Sequence, residues 1–401
     1  GSGDEVVGRS GFAHLFEHMM FQGAKHIGED VHFDILKEIG GTSINGTTNS
    51  DRTNYYEIVP SNHLETGLWL ESDRMGYLLD LLNAKSLANQ QEVVRNERRQ
   101  RYDNVPYGQD RFAVAALLYP EGHPYRFLTI GRHEDLEAAK LEDVRAFFQK
   151  WYVPSNATLT LAGDFEIDVA KSLINKWFGS FPAIVQPTRT KVVPPPLAKT
   201  ERKELKDGFA RLTQVHYVWH APESLGKGSH ELDTASEVLG AQGWGRLYQR
   251  LVVGEKLAQL VYSYNYGKQF SGEFHIVARL NPGADVARVE AIIDEELTKL
   301  ADQPITEAEL NRVKIGTESG VVWGLEELMT RANRLQSFNH FTGDPGYIDT
   351  YLKDVRAVDA AGVQREVQKW LRAPRAEVIT VPAKPTPHKG RPSGGTRKGG
   401  K

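Results

Sequence analysis

Residues 11–26 read Gly-Phe-Ala-His-Leu-Phe-Glu-His-Met-Met-Phe-Gln-Gly-Ala-Lys-His, and within them stands His14-Leu15-Phe16-Glu17-His18. In a helix, positions 14 and 18 lie one above the other on the same face. Two imidazoles stacked in that way can share one zinc ion at roughly 2.0–2.1 Å each. Glu17 lies beside them, where a carboxylate can take a proton from a water that zinc acidifies toward a pKa of about 7. The flanks are small and apolar: Gly11, Phe12 and Ala13 before, Met19, Met20 and Phe21 after. Polar side chains in an apolar helix are costly to bury unless they are paired or ligated. A metal site is therefore preferred to a surface helix with scattered polar residues.

Catalytic zinc usually has three protein ligands and one open position. The third is expected from residues 87–101, a run with no Gly or Pro and good helix formers. It offers Glu92 and Glu97, about 140° apart around a helix axis, so only one can face the metal. Glu97 follows Val93 and Val94 by four and three residues and shares their apolar face; Glu92 lies off that stripe. We choose Glu97. Its alternative is an ion pair with Arg98 or Arg101 on a solvated helix.

Several motifs occur in order along the chain: GFAHLFEHMMFQGAKH (11–26), GGTSINGTTNSDRTNYYEIVP (40–60), WLESDRMG (69–76), QEVVRNERRQRYDNVPYG (91–108), LYPEGHPY (118–125) and WYVPSNATLTLAGDF (151–165). With them the chain resembles the pitrilysin family of zinc peptidases, and within it the half-length bacterial-type members related to mitochondrial processing peptidase. His-x-x-Glu-His is the inverted zinc motif of that group. The likeness covers most of residues 1–180 and continues more weakly through 200–383.

The resemblance implies His14, His18 and Glu97 as ligands of one Zn2+ per chain and Glu17 as general base. His18 to Glu97 spans 79 positions, close to the family spacing. Gln90 stands where the family tends to carry a second acidic residue. The fold implied is α+β: two similar α/β-sandwich domains arisen by duplication, each a mostly antiparallel sheet with helices packed on it, together forming half of a clam-shell chamber.

Residues 43–48 resemble the edge strand on which the family lays its substrate. An open edge offers unpaired N–H and C=O groups that can add an extended peptide as a further strand. Asn45, Gly46 and Thr47 are the expected substrate-binding residues, with the Asn45 amide near the scissile bond. The plainer reading is an edge blunted by Gly and polar residues.

At 401 residues the chain exceeds one ordinary core, so two domains are expected. A hydrophobic content of 40% and a charged content of 25% are ordinary for a globular protein. The net charge of −3 gives no global field for nucleic acid, and no run of about 18 apolar residues predicts a membrane span. The absence of cysteine excludes disulfides and thiol catalysis and suits an oxidising compartment. A periplasmic or secreted location is favoured, with an organellar matrix or the cytoplasm left open. The chain begins Gly1-Ser2-Gly3 without an initiator Met, and the first domain is expected to be N-terminally incomplete.

Prolines at 182, 187, 194, 195 and 196 mark a linker. The expected organisation is a zinc-binding catalytic domain at 1–182, the linker at 183–200, a metal-free homologous domain at 201–383 and a disordered basic tail at 384–401. Helical patterns fall at 30–39, 62–82, 87–102, 135–151 and 166–178, and strand patterns at 53–59 and 157–162. In the second half helices are expected at 229–239, 284–301, 306–336 and 357–371, and strands at 210–219 and 272–280. Duplication is supported by Lys150-Trp151…Pro154 and Lys369-Trp370…Pro374, each leading into an alternating run. His216 and His220 lie on a strand pattern, about 13 Å apart, and read as ordinary polar positions.

In the family an Arg and a Tyr seven residues apart help polarise the substrate carbonyl. Here Tyr262 is preceded at that distance by Glu255, and Arg250 stands twelve before it. The resemblance therefore implies a homologous metal-free protomer, or a C-terminal half, that supplies the pair. The function expected is a zinc metalloendopeptidase acting on peptides or unfolded segments. The rivals are a non-catalytic assembly subunit of the same fold and a peptide-binding module without turnover.

Overall fold

Helix α1 (Phe12–Met19) has eight residues, too few to hold a helix in isolation. It is held by packing. Phe12, Leu15, Phe16 and Met19 are buried in one cluster with Leu87, Val94, Leu136, Val144 and Phe148. The Phe16 ring lies 4.6 Å from that of Tyr152 and 5.2 Å from that of Phe148. Each such buried side chain contributes about 1.5–3 kcal/mol. The chain enters α1 through Gly11 at φ 86°, where a Cβ would stand 2.9 Å from the Gly131 Cα. Glu5 takes the place of a helix cap: its carboxylate oxygens accept from Gly11 N and Ala13 N at 2.9 and 2.7 Å.

The structure is a computed structural model in which residues 1–189 and 191–383 are described; the basic tail lies outside them. After α1 come α2 (Val31–Glu38), the hairpin β1 (Thr42–Thr48) and β2 (Thr53–Ile58), α3 (Leu64–Tyr77), α4 (Ala84–Arg98), α5 (Asp110–Leu118), α6 (His133–Ala138), α7 (Leu141–Trp151) and α8 (Ile167–Phe178). The second half holds β3 (Glu201–Asp207), β4 (Gln214–Ala221), α9 (Ser229–Gly240), β5 (Ala258–Gly267) and β6 (Gly272–Leu280). It ends with α10 (Val286–Asp302), α11 (Glu307–Gly324), α12 (Leu328–Thr342), α13 (Ile348–Ala357), α14 (Ala360–Trp370) and β7 (Ala376–Pro382).

The strands of the second half form one sheet in the order β3-β7-β4-β6-β5, antiparallel except for the β3–β7 pair. One face, with Tyr217, Trp219, Phe274 and Ile276, is covered by helices of the same half. The other face is more polar and receives α5, whose Ala113, Val114 and Leu118 pack against Val218, Ala376 and Val378. The two halves thus share a core. Asp51, at the tip of the β1–β2 hairpin, ties them further by accepting from Tyr125 OH at 2.7 Å and Gln269 N at 3.1 Å.

The α+β reading holds, and helices lie on mostly antiparallel sheet. Individual elements differ. Residues 157–162 alternate as a strand would, yet they pair with no strand among the described residues. Alternation specifies a face, and a ladder also needs a partner. The 135–151 pattern is broken at Ala139 and Lys140, and 306–336 is broken after Gly324. Helices α5 and α13 and strands β3 and β5 fall outside the expected elements: α5 is held by packing on the sheet of the other half, and β3, on a sheet edge, is charged at every position but Leu205.

Candidate metal centre

Three side chains from two helices converge. His14 Nε2 and His18 Nε2 of α1 lie 3.3 Å apart. Glu97 Oε2, one residue before the end of α4, lies 3.5 Å from the first and 3.4 Å from the second. Among the described residues these form the one group of three or more metal-competent side chains. Ligands of a tetrahedral zinc at 2.0–2.1 Å stand about 3.3–3.4 Å apart. The three donors therefore outline one face of a tetrahedron of the right size, and the site fits zinc.

The electrostatics suit a cation. Burial, aided by the charge of His18, pushes the His14 imidazole down to about 4, so its ring stays neutral with a lone pair to give. Burial alone would raise Glu97, but its surroundings, His18, His14 and the Arg101 guanidinium, hold its carboxyl below the usual range. Glu97 faces two ways: Oε2 lies toward the histidines, while Oε1 accepts from Arg101 at 2.7 Å. Arg98 is engaged elsewhere, with Gly131 O and over the Phe112 ring. The inward stripe of α4 is Leu87, Gln90 and Val94, with Glu97 next; Val93 is 39% exposed, so it is not part of it. Glu92 pairs with Arg95, away from the histidines. Immediately after α4 the chain widens into a π-helix over Arg99–Asp103, a local irregularity of a kind common beside functional sites.

Gln90 has a part that the sequence did not suggest. Its Oε1 lies 3.3 Å from His18 Nδ1. An amide oxygen only accepts, so Nδ1 carries the proton and Nε2 presents its lone pair to the other two donors. An inward polar residue seven before Glu97 was the available signal.

Glu17 is buried beneath β1. Burial raises its carboxyl, opposed by a hydrogen bond donated by Thr48 Oγ1 at 2.6 Å. Gly46 is buried directly over it, where a Cβ would stand 3.0 Å from Glu17 Cγ. The hairpin register sets which backbone groups are offered. Asn49 N donates to Arg52 O at 3.0 Å, and Thr47 faces Asn54 in the next step of the ladder. By antiparallel alternation Thr47 bonds toward β2, while Gly46 and Thr48 turn their N–H and C=O groups away from it. Of the three expected substrate residues, Gly46 thus presents its backbone to the outer edge. Thr47 points its backbone inward, with its carbonyl also accepting from Arg52 at 2.9 Å. Asn45 is exposed, and its Oδ1 accepts from Gly46 N at 2.9 Å, covering one edge amide.

His216 and His220 are not ordinary strand positions. His216 is buried with Nε2 3.0 Å from His275 Nδ1, and His275 Nε2 lies 3.1 Å from Glu273 Oε2. His220 is partly buried, its ring 5.7 Å from that of Tyr119. Tyr119 OH donates to Glu273 at 2.6 Å, so the polar face of the sheet is bonded to the first half.

The sequence matches the family described as "Insulinase (Peptidase family M16)" over residues 1–108 and "Peptidase M16 inactive domain" over 138–316. It is 30% identical over 380 residues to "Zinc protease PqqE" of Helicobacter pylori, covering 92% of this chain and 83% of the relative. Among solved structures, a protease from Helicobacter pylori superposes with a TM-score of 0.88 at 26% identity, over 95% of this chain and 91% of that one. The periplasmic protease PqqL from Escherichia coli gives 0.78 at 17% identity, over 95% of this chain and 44% of that one. The chain belongs to the M16, or pitrilysin, family of peptidases.

Proposed function

We propose that this chain is a zinc-dependent endopeptidase for peptides or unfolded segments. The observation that carries the reading is the triangle of His14 Nε2, His18 Nε2 and Glu97 Oε2 with Glu17 beside it, beneath a strand edge. Bound zinc supplies Lewis acidity at that triangle. The chain's own residues do the rest. Gly46 and Thr48 offer backbone groups to which an extended peptide adds as a strand, and the Asn45 amide swings from Gly46 N to the incoming backbone. Glu17, with Oε2 held by Thr48, has Oε1 left to accept a proton and hand it on to the leaving amine.

Residues 1–182 carry the metal, 183–200 link, and 201–383 form a metal-free domain that holds substrate. A second protomer or half completes the chamber and supplies an Arg/Tyr pair. Both arginines before Tyr262 are committed within the fold: Arg246 to Glu309, with bonds of 2.8 Å, and Arg250 to Glu295 and Glu296 at 2.7 and 2.8 Å. The double length of PqqL supports a partner of this fold, and its periplasmic location supports an extracytoplasmic compartment.

The test is zinc content by elemental analysis together with cleavage of an internally quenched unfolded peptide, for the parent and Glu17→Gln. We expect about one zinc in both and turnover only in the parent, with or without a metal-free homologous protomer. A parent that binds zinc and peptide without cleaving under either condition would replace the peptidase reading with a binding module.

A further inference from the structure

Glu17 is held from outside its own helix. Its one side-chain hydrogen bond among the described residues comes from Thr48 Oγ1, at 2.6 Å. Thr53 Oγ1 lies 3.0 Å from Thr48 Oγ1. A hydroxyl has a single proton. That of Thr48 goes to Glu17, so Thr53 donates the bond between the two threonines. They are direct cross-strand partners, so the chain Thr53 to Thr48 to Glu17 is set by the register of the hairpin. That register is pinned in turn by Asp51 at the tip, bonded to Tyr125 and Gln269.

Thr48 faces two ways. Its side chain reaches down to Glu17, and its backbone N–H and C=O point away from β2, toward the side where a strand can add. Gly46, two residues before, lies close over Glu17 and has no side chain to offer the carboxylate. Among the described residues no other side-chain hydrogen bond fixes the plane of the carboxyl.

We propose that Thr48, backed by Thr53, is a positioning residue for Glu17. It orients the carboxylate and links that orientation to the strand on which substrate lies. The proposal rests on the peptidase reading above. A base displaced by about 1 Å loses up to 100-fold in rate, so the hydroxyl acts on turnover and not on substrate affinity.

The experiment compares the zinc-loaded parent with Thr48→Val, Thr48→Ser and Thr53→Val. Thr48→Val keeps the shape of the side chain and removes the donor. We expect kcat to fall about 10- to 100-fold, KM to stay within about twofold and zinc content to stay as in the parent. Thr48→Ser restores most of the rate, and Thr53→Val loses only a few-fold. An unchanged kcat in Thr48→Val, or a loss that Thr48→Ser does not rescue, overturns the proposal. A crystal structure of zinc-loaded Thr48→Val decides the point without turnover. A rotated Glu17 carboxylate supports the proposal, and an unmoved one overturns it, even if the parent itself cleaves nothing and the peptidase reading has failed.

Discussion

The amide oxygen of Gln90 lies 3.3 Å from Nδ1 of His18, reaching from one helix to the next. It fixes the tautomer in which Nε2 faces His14 and Glu97. Removing such an outer partner typically costs 10- to 100-fold in metal affinity. Gln90→Met should therefore weaken zinc binding by about that factor, measured by competition with a chromophoric chelator. Gln90→Glu, a stronger acceptor for the same N–H, should bind at least as tightly as the parent. Parental affinity in Gln90→Met would mean that packing alone orients the His18 ring.

Glu97 and Glu92 sit on the same helix and should behave oppositely. Glu97→Gln removes the only anionic donor of the triangle and should lose most of the bound zinc, read by elemental analysis. Glu92→Gln disrupts a half-exposed ion pair with Arg95 and should keep its zinc. Arg101→Ala is the control for the other half of Glu97. Arg101 is 71% exposed in its side chain, so its loss should change zinc affinity by a few-fold at most. Zinc retained by Glu97→Gln and lost by Glu92→Gln would exchange their roles.

The sequence disclosed α1 and its two histidines because a helix places positions 14 and 18 together whatever surrounds it. Glu97 needed one more step, the apolar side of α4, and that side was legible through Val94 although Val93 proved exposed. Gln90 was noticed as a departure from the family and not as a partner, because its role depends on the distance between α1 and α4, which no local pattern carries. Residues 157–162 and His216 failed for a related reason. A strand needs a partner, and the burial of a polar strand face depends on what is laid over it. Here α5, from the other half of the chain, covers the face of β4 that bears His216.

Gly46 leaves no room for a side chain. A Cβ there would stand 3.0 Å from Glu17 Cγ and 3.2 Å from atoms of both Phe21 and Tyr55. The two rings are packed, so Glu17 is the group that must give way. Gly46→Ala should keep its zinc and its fold while lowering kcat by about 10-fold or more. Steady-state kinetics and zinc content on one preparation check this. A normal kcat would show that the hairpin, and not the carboxylate, moves aside.

Acid should weaken the fold through His216. Burial, with the nearby charges of His275 and Arg111, pushes its imidazole down to about 3, against 6.5 when free. His32, buried beside Arg74, is likewise pushed down to about 3. The native protein keeps both rings neutral, and the unfolded chain protonates them below about 6.5. The stability they permit is complete above pH 6.5 and is lost as pH falls toward 3. Each ring contributes a slope of up to about 1.4 kcal/mol per pH unit. Urea unfolding of the parent at pH 7, 6 and 5 should show a progressive fall. His216→Phe removes one such group, so its own curve should fall less steeply over the same interval, whatever its stability at pH 7. Identical slopes would mean that the native state accepts the proton, with Glu273 reached through His275 as the group that receives the charge.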